Sequence, residues 1–239
     1  MRLITGCSLV LATALLAVAH PRVSEATSLN IDFGTTLGTP ANTYGAAAGQ
    51  VGYWNGISST GTINLRGLDG SLLPGVDLTL NSDSLASHGG GPQYTYTGGD
   101  KQLIQDSFYV TNGSWSLGLS GLDNGAYDLY VYGPRNELVS TSSFSVNGVQ
   151  QSNLVTPIGG NPPLQEGVDY EIVKLLVSDH NISIASGPDA GEFSGLAGLQ
   201  LVQVAATPIP GTLLLFGSGL GLLGFVGWRK KNGGALIVG

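Results

Sequence analysis

Apolar residues in the middle of the chain recur at every second position, not every third or fourth. Val76, Leu78 and Leu80 alternate, as do Trp115, Leu117 and Leu119, and then Tyr127, Leu129 and Val131. The same period runs through Phe144 and Val146, through Val173, Leu175 and Val177, and through Ile182 and Ile184. Successive side chains of a strand point to opposite faces, so this period predicts strands with one buried side. A further run, Leu196 to Val204, is apolar enough to be buried. Between the runs stand Asn112-Gly113, Asp123-Asn124-Gly125 and Asn147-Gly148, which suit hairpin turns because Asn and Gly accept positive φ. No stretch of ten or more residues carries a capped amphipathic helix pattern. Short strands separated by Gly-rich turns predict an all-β fold, an antiparallel β-sandwich. Trp54 and Trp115 are expected in its core.

The two ends break this period. The chain opens with MRLITGCSLVLATALLAVA, in which Arg2 precedes an uncharged apolar run from Leu3 to Ala19. That is the pattern of a secretory signal peptide, which implies the Sec export machinery as a partner. The leader is assigned to residues 1–26, with cleavage after Ala19 or after Ala26; a retained helix is the alternative. Ile4-Thr5-Gly6-Cys7 looks like a lipoprotein cleavage box, but its apolar core follows the cysteine instead of preceding it, so lipidation at Cys7 is not expected.

At the other end, residues 207–231 read TPIPGTLLLFGSGLGLLGFVGWRKK. Pro208-Ile209-Pro210 precedes 18 uncharged residues, Gly211 to Trp228, and then come Arg229, Lys230 and Lys231. Eighteen helical residues span about 27 Å, close to a hydrocarbon core of roughly 30 Å. Trp228 suits the membrane interface and the basic trio the cytoplasmic side, although six glycines make the anchor marginal. Gly219-Leu220-Gly221-Leu222-Leu223-Gly224 spells a dinucleotide fingerprint, but no strand precedes it and no βαβ unit surrounds it, so it is a coincidence.

The order Pro-x-Pro, short Gly/Leu-rich membrane helix and terminal basic cluster resembles the PEP-CTERM sorting signal of exported bacterial proteins. Here it would occupy residues 206–239, with a transmembrane helix over 211–228. The resemblance implies recognition by exosortase, a membrane transpeptidase-like enzyme that cuts near the Pro-x-Pro. It also implies a Gram-negative source that makes exopolysaccharide. The expected route runs through an inner-membrane-anchored intermediate to the cell surface or the biofilm matrix. Ile209 stands where the family usually has Glu, and an eight-residue tail, NGGALIVG, follows Lys231. A plain C-terminal anchor with no sorting role is the alternative.

Composition changes once the ends are set aside. The whole chain has a net charge of −7 and only 10% charged residues, against roughly 25% in an ordinary soluble domain. Residues 27–205 keep Arg66, Lys101, Arg135 and Lys174 against 15 acids, a net of −11. So acidic a domain cannot neutralise phosphates, which excludes nucleic acid as a partner. A mature domain without Cys7 carries no cysteine, and this removes disulfide and zinc-finger scaffolds. The 28 glycines of residues 27–205 are expected in turns and tight corners.

Within this domain GLDNGAYDLYVYG (121–133), FSVNG (144–148), DYEIVKLLVSDHNISIASG (169–187) and GLAGLQLVQV (195–204) resemble the later strands of jelly-roll, galactose-binding-like domains. The resemblance implies a jelly-roll-like sandwich, and many such domains bind carbohydrate. Fold alone does not fix function.

Signals for chemistry are sparse. His20, His88 and His180 have no partner at a metal-ligand spacing, there is no Gly-x-Ser-x-Gly elbow, and no Asp-x-Asx-x-Asx-Gly calcium loop is present. Glycoside hydrolysis would need two facing carboxylates. Asp69, Asp77, Asp83, Asp100, Asp106, Asp123, Asp128, Glu137, Glu166, Asp169, Glu171, Asp179, Asp189 and Glu192 offer no pair with a distinctive context. No catalytic residue, metal site or cofactor is therefore expected. The binding candidate is SHGGGPQYTYTGGD, residues 87–100, where Tyr94 and Tyr96 would project from one strand face beside His88 and stack on sugar rings. The competing reading is that both tyrosines simply cover the sheet. The sequence thus points to a non-enzymatic surface or matrix protein delivered by its C-terminal signal. A carbohydrate-binding module is the second reading and a polysaccharide-acting enzyme the third.

Overall fold

The computed structural model describes residues 27–82, 96–111, 113–134, 141–151, 154–155, 163–186 and 193–204. The expected leader, Tyr94, His88, Pro208, Ile209, Pro210, Trp228, Arg229, Lys230 and Lys231 all lie outside them. Among the described residues no helix is long and apolar enough to cross a membrane.

These residues form a two-sheet β-sandwich with one short helix. One sheet holds β1 (Leu29–Phe33), β2 (Trp54–Ile57), β7 (Gly125–Tyr132), β12 (Tyr170–Val177) and β15 (Gly198–Gln203), in the order β12-β7-β15-β1-β2. The other holds β3 (Gly61–Arg66), β4 (Leu72–Asn81), β6 (Ser116–Ser120), β9 (Phe144–Val146), β10 (Val149–Gln150) and β13 (Ile182–Ser186), in the order β10-β9-β13-β6-β4-β3. Two small pairs complete the set: β5 (Phe108–Thr111) with β14 (Phe193–Leu196), and β8 (Thr141–Ser142) with β11 (Leu154–Val155). Pairing within both large sheets is antiparallel except between β1 and β2.

The alternating residues meet between the sheets, as their period requires. Val76, Leu78, Leu80, Leu117, Leu119, Val146, Ile182 and Ile184 face Leu29, Ile31, Phe33, Tyr127, Leu129, Val131, Leu199 and Leu201 in one cluster. Phe108 sits edge-on to Phe33, with centroids 5.0 Å apart, and to Trp115 at 5.3 Å. Such edge contacts align the positive rim of one ring with the negative face of the next.

The turns divide. Asn147 and Gly148, at φ 49° and 78°, close the β9–β10 hairpin as expected. Asp123-Asn124-Gly125 instead carries the chain from β6 in one sheet to β7 in the other. The Tyr127 hydroxyl donates to the Asp123 carbonyl at 2.7 Å and Thr27 Oγ1 to Asp123 Oδ2 at 2.8 Å, so this corner is pinned from both sides. The expected hairpin there is corrected to a crossing, and β5 and β6, flanking Asn112-Gly113, likewise belong to different sheets. A helix, α1 (Gly98–Ile104), replaces the expected end of a tyrosine-bearing strand, and Gly98 enters it at φ 57°.

A second layer covers the outer face of the five-stranded sheet. There α1 and the loops around Tyr44 and Leu164 pack Leu103, Ile104 and Tyr96 onto Trp54, Tyr132 and Ala197. This cover explains why the run from Leu196 to Leu201 is buried on both sides: Leu199 and Leu201 enter the sandwich, whereas Gly198 and Gln200 face the cover. The expected burial stops there, since Val202 and Gln203 are half-buried and Val204 is exposed.

Candidate functional site

A concavity opens at one end of the six-stranded sheet, where β3 and β6 begin and β4 and β13 end. It is a cleft of about 660 Å³, within the ~300–1,000 Å³ range of small-ligand sites. Its rim is Thr60, Asn81, Ser82, Ser114, Ser116 and Ser186, above Trp115 and Leu80, which are buried in the core. The strand ends place these groups because β4 and β6 run antiparallel with Asn81 opposite Ser116, whose side chains meet at 3.4 Å. Ser186 Oγ accepts from the Trp115 backbone at 3.2 Å, and the Trp115 indole N–H donates to Ser194 Oγ at 2.9 Å. The indole is thereby fixed in the core beneath the cleft, while Thr60 and Ser114 stand exposed at the mouth. No described lining residue is charged, so what the cleft offers is hydroxyl and amide hydrogen bonding.

The expected binding residues fare differently. Tyr96 is 2% exposed, lies in the outer layer beneath α1, and directs its hydroxyl toward Asp169 at 3.4 Å. A ring so enclosed presents no face to a sugar, and its place in a two-tyrosine platform is replaced by packing. Trp54 and Trp115 are both core residues, as expected, but belong to different clusters. His180 sits exposed at φ 66° in the turn after β12, with Nδ1 2.7 Å from the Leu122 carbonyl.

The outer layer holds polar chemistry that the sequence reading passed over. Asn30, Gln50, Gln200 and Tyr132 form one buried network. Gln200 Nε2 donates to Asn30 Oδ1 at 2.9 Å and to the Gly45 carbonyl at 3.1 Å, and the Tyr132 hydroxyl donates to Gln200 Oε1 at 2.5 Å. Gln50 Nε2 reaches the same Asn30 oxygen at 2.9 Å. Beside this network lie Asp32 and Asp106, both fully buried. Leu37 N–H donates to Asp106 Oδ2 at 2.9 Å, but Asp106 Oδ1 and both oxygens of Asp32 find no hydrogen-bond partner among the described residues. Burial, helped by the neighbouring Asp106 charge, pushes Asp32 up to about 9, and burial also raises Asp106. Gly34, at φ 85°, makes room for this pair, since a Cβ there would come within 2.5 Å of Asp106 Oδ1. The alternation Leu29, Ile31, Phe33 was the available signal for β1, and with it for Asp32.

This pair of carboxylates is sealed from solvent, whereas a glycosidase pair must flank an open substrate site. Glu166 and Glu171 form a second, more open pair, in which burial and the Glu166 charge raise Glu171. Tyr44 donates to Asp100 at the edge of a smaller hollow of about 150 Å³ bordered by Pro163 and Leu164. Burial and the Asp100 contact push the Tyr44 phenol up. Among the described residues no group of three or more His, Cys, Asp or Glu side chains is placed to hold a metal ion.

By architecture the described residues are a β-sandwich with antiparallel sheets. No protein-family model matches the chain, and no curated protein does. Among solved structures it is similar to the YXIM protein of Bacillus subtilis, at 14% identity and a TM-score of 0.46 over 76% of this chain and 41% of that one. It is similar also to Bacteroides uniformis beta-glucuronidase 2, at 14% identity and 0.43 over 74% of this chain and 18% of that one. A family 35 carbohydrate binding module from Clostridium thermocellum matches at 12% identity and 0.33, over 62% of this chain and all of that one. The chain thus spans less than half the length of the first two. At these scores the likeness bears on neither ligand nor activity.

Proposed function

We propose that this chain is an exported, non-enzymatic carbohydrate-binding protein of the cell surface or matrix, and that the cleft at the end of the six-stranded sheet is its glycan site. The observation that carries the reading is the composition of that cleft: a rim of Ser, Thr and Asn side chains with no charged group among its described lining residues. Sugars present a ring of hydroxyls, and the hydroxyl and amide groups of this rim can donate to them and accept from them. The described lining residues include no acid or nucleophile–base pair, which favours binding over hydrolysis.

Glycan-array binding by the full chain tests the reading. The expected result is binding to at least one polysaccharide, weakened at least tenfold by Asn81→Ala combined with Ser116→Ala while the near-ultraviolet dichroism stays unchanged. Binding indifferent to those changes would move the site elsewhere, and no binding to any glycan would end the proposal.

Delivery rests on the Pro208-Ile209-Pro210 motif, the apolar segment 211–228 and Arg229, Lys230 and Lys231, read as an exosortase-type sorting signal. Mass spectrometry of the native C-terminus is expected to find residues 211–231 removed. A mature chain that keeps them would leave a plain membrane anchor.

A further inference from the structure

A two-sheet sandwich has four edge strands, and each exposes a row of backbone N–H and C=O groups that invites another strand. Three of the four are blunted here. Strand β10 is two residues long. Strand β3 is broken by a register shift between Asn64 and Arg66. Strand β2 is four residues long and is tied across to the other sheet, because Asn55 Nδ2 donates to the Arg66 carbonyl at 2.9 Å and Arg66 N–H to Asn55 Oδ1 at 2.8 Å.

Strand β12 differs in length and regularity, although Lys174 stands at its centre. Its eight residues, YEIVKLLV, pair with β7 in unbroken register, and among the described residues no strand lies on its other side. It contains no proline, and Leu176 stands 72% exposed on it. Only its first residue is occupied at the edge, because the preceding turn folds back so that Gly167 N–H donates to the Tyr170 carbonyl at 2.7 Å. The free edge is therefore Glu171 to Val177.

We infer that β12 is a self-association surface, on which the same strand of a second copy pairs antiparallel about a two-fold axis and joins two five-stranded sheets into one of ten strands. A two-fold perpendicular to the sheet keeps each side chain on its own face, so opposed residues must share parity. The register that overlaps the whole free edge centres on Lys174. It sets Leu176 of each copy opposite Ile172 of the other, which covers the exposed leucine with an apolar partner. It also brings the two Lys174 side chains together, each already carrying its counter-charge, for Nζ lies 3.0 Å from Asp128 Oδ1 on the neighbouring strand. Each sheet thus contributes an acid–base pair to a ladder running minus, plus, plus, minus. Two opposing forces remain, the repulsion between the two Lys174 ammonium groups, which each Asp128 partly offsets, and the net −11 of each domain, and salt screens both.

Single-cysteine cross-linking of the full chain in a Cys7→Ser background tests both the surface and its register. Opposed residues of an antiparallel pair lie about 4.5–5.5 Å apart, so Lys174→Cys is expected to yield a disulfide dimer on mild oxidation. Leu176→Cys places its two sulfurs four residues out of register and should give at least tenfold less. Adding Leu176→Glu to Lys174→Cys should cut the dimer at least tenfold, and raising the salt concentration should increase it. Equal cross-linking at both positions would show association through other parts of the chain, and a Lys174→Cys chain that stays monomeric would show the edge unpaired. Either result overturns the inference.

Discussion

Along β1 the side chains enter two environments in turn. Leu29, Ile31 and Phe33 join the cluster between the sheets, while Asn30 and Asp32, only one residue away, enter the layer beneath α1. Both sides are fully buried, but different forces hold them. Between the sheets, stability comes from apolar area removed from water and from close packing, so it scales with the volume a residue fills. On the outer face it depends on whether each polar atom finds a partner. There Gln200 and Asn30 succeed, and Asp32 does not. A buried surface is therefore no guide to what removing one of its residues costs.

The largest expected effect falls on the apolar side. Phe108→Ala would leave a void between Phe33 and Trp115, and a loss of about 3–5 kcal/mol is expected in a denaturant titration. A loss below about 1 kcal/mol would mean that the core collapses around the gap.

On the polar side, Gln200→Ala removes the hub that Asn30, Tyr132 and the Gly45 carbonyl share. The stranded groups should cost about 2–3 kcal/mol in the same titration. A neutral outcome would show that water replaces the amide, and that the outer layer is less dry than the inter-sheet core.

Asp32→Asn is expected to act in the opposite direction. An aspartate near 3.8 in the unfolded chain and about 9 in the folded one must take up a proton to fold. The stability it permits is intact below about pH 4 and declines as pH rises toward 9. Asparagine carries no charge and can donate to Asp106 Oδ1. The variant should therefore gain about 1–2 kcal/mol at neutral pH, and melting curves from pH 4 to 9 should flatten relative to the parent. A variant with the same pH profile as the parent would break the assignment of Asp32 as the uncompensated group.

The smallest effect belongs to polar contact in the open. Thr62 and Thr79 meet at 3.1 Å on the solvent side of β3 and β4, and Thr62→Ala should cost no more than about 0.5 kcal/mol by thermal melting. A larger loss would erase the contrast between exposed and enclosed hydrogen bonds.

The cleft was not legible in advance, and its residues show why. Thr60, Asn81, Ser82, Ser114, Ser116 and Ser186 are ordinary strand-end and turn residues scattered over 126 positions of the chain. Only the antiparallel register of β4, β6 and β13 gathers them at one end. Tyr94 and Tyr96 stand two apart, the spacing that puts neighbours on one face of a strand, yet Tyr96 serves the outer layer.

By itself the sequence determined the period, and with it the sandwich, because a two-residue alternation leaves an apolar face that must find another sheet. It also marked the Asn147-Gly148 hairpin, because two successive positive φ angles suit that pair of residues. Tertiary structure alone decided which strands share a sheet, since the turn at Asp123 could have closed a hairpin as readily as a crossing. It decided, too, that Asn30, Asp32 and Gln200 are interior. Their alternation with apolar neighbours is the same whether the far face meets water or a covering helix, and only the arrival of α1 makes the difference.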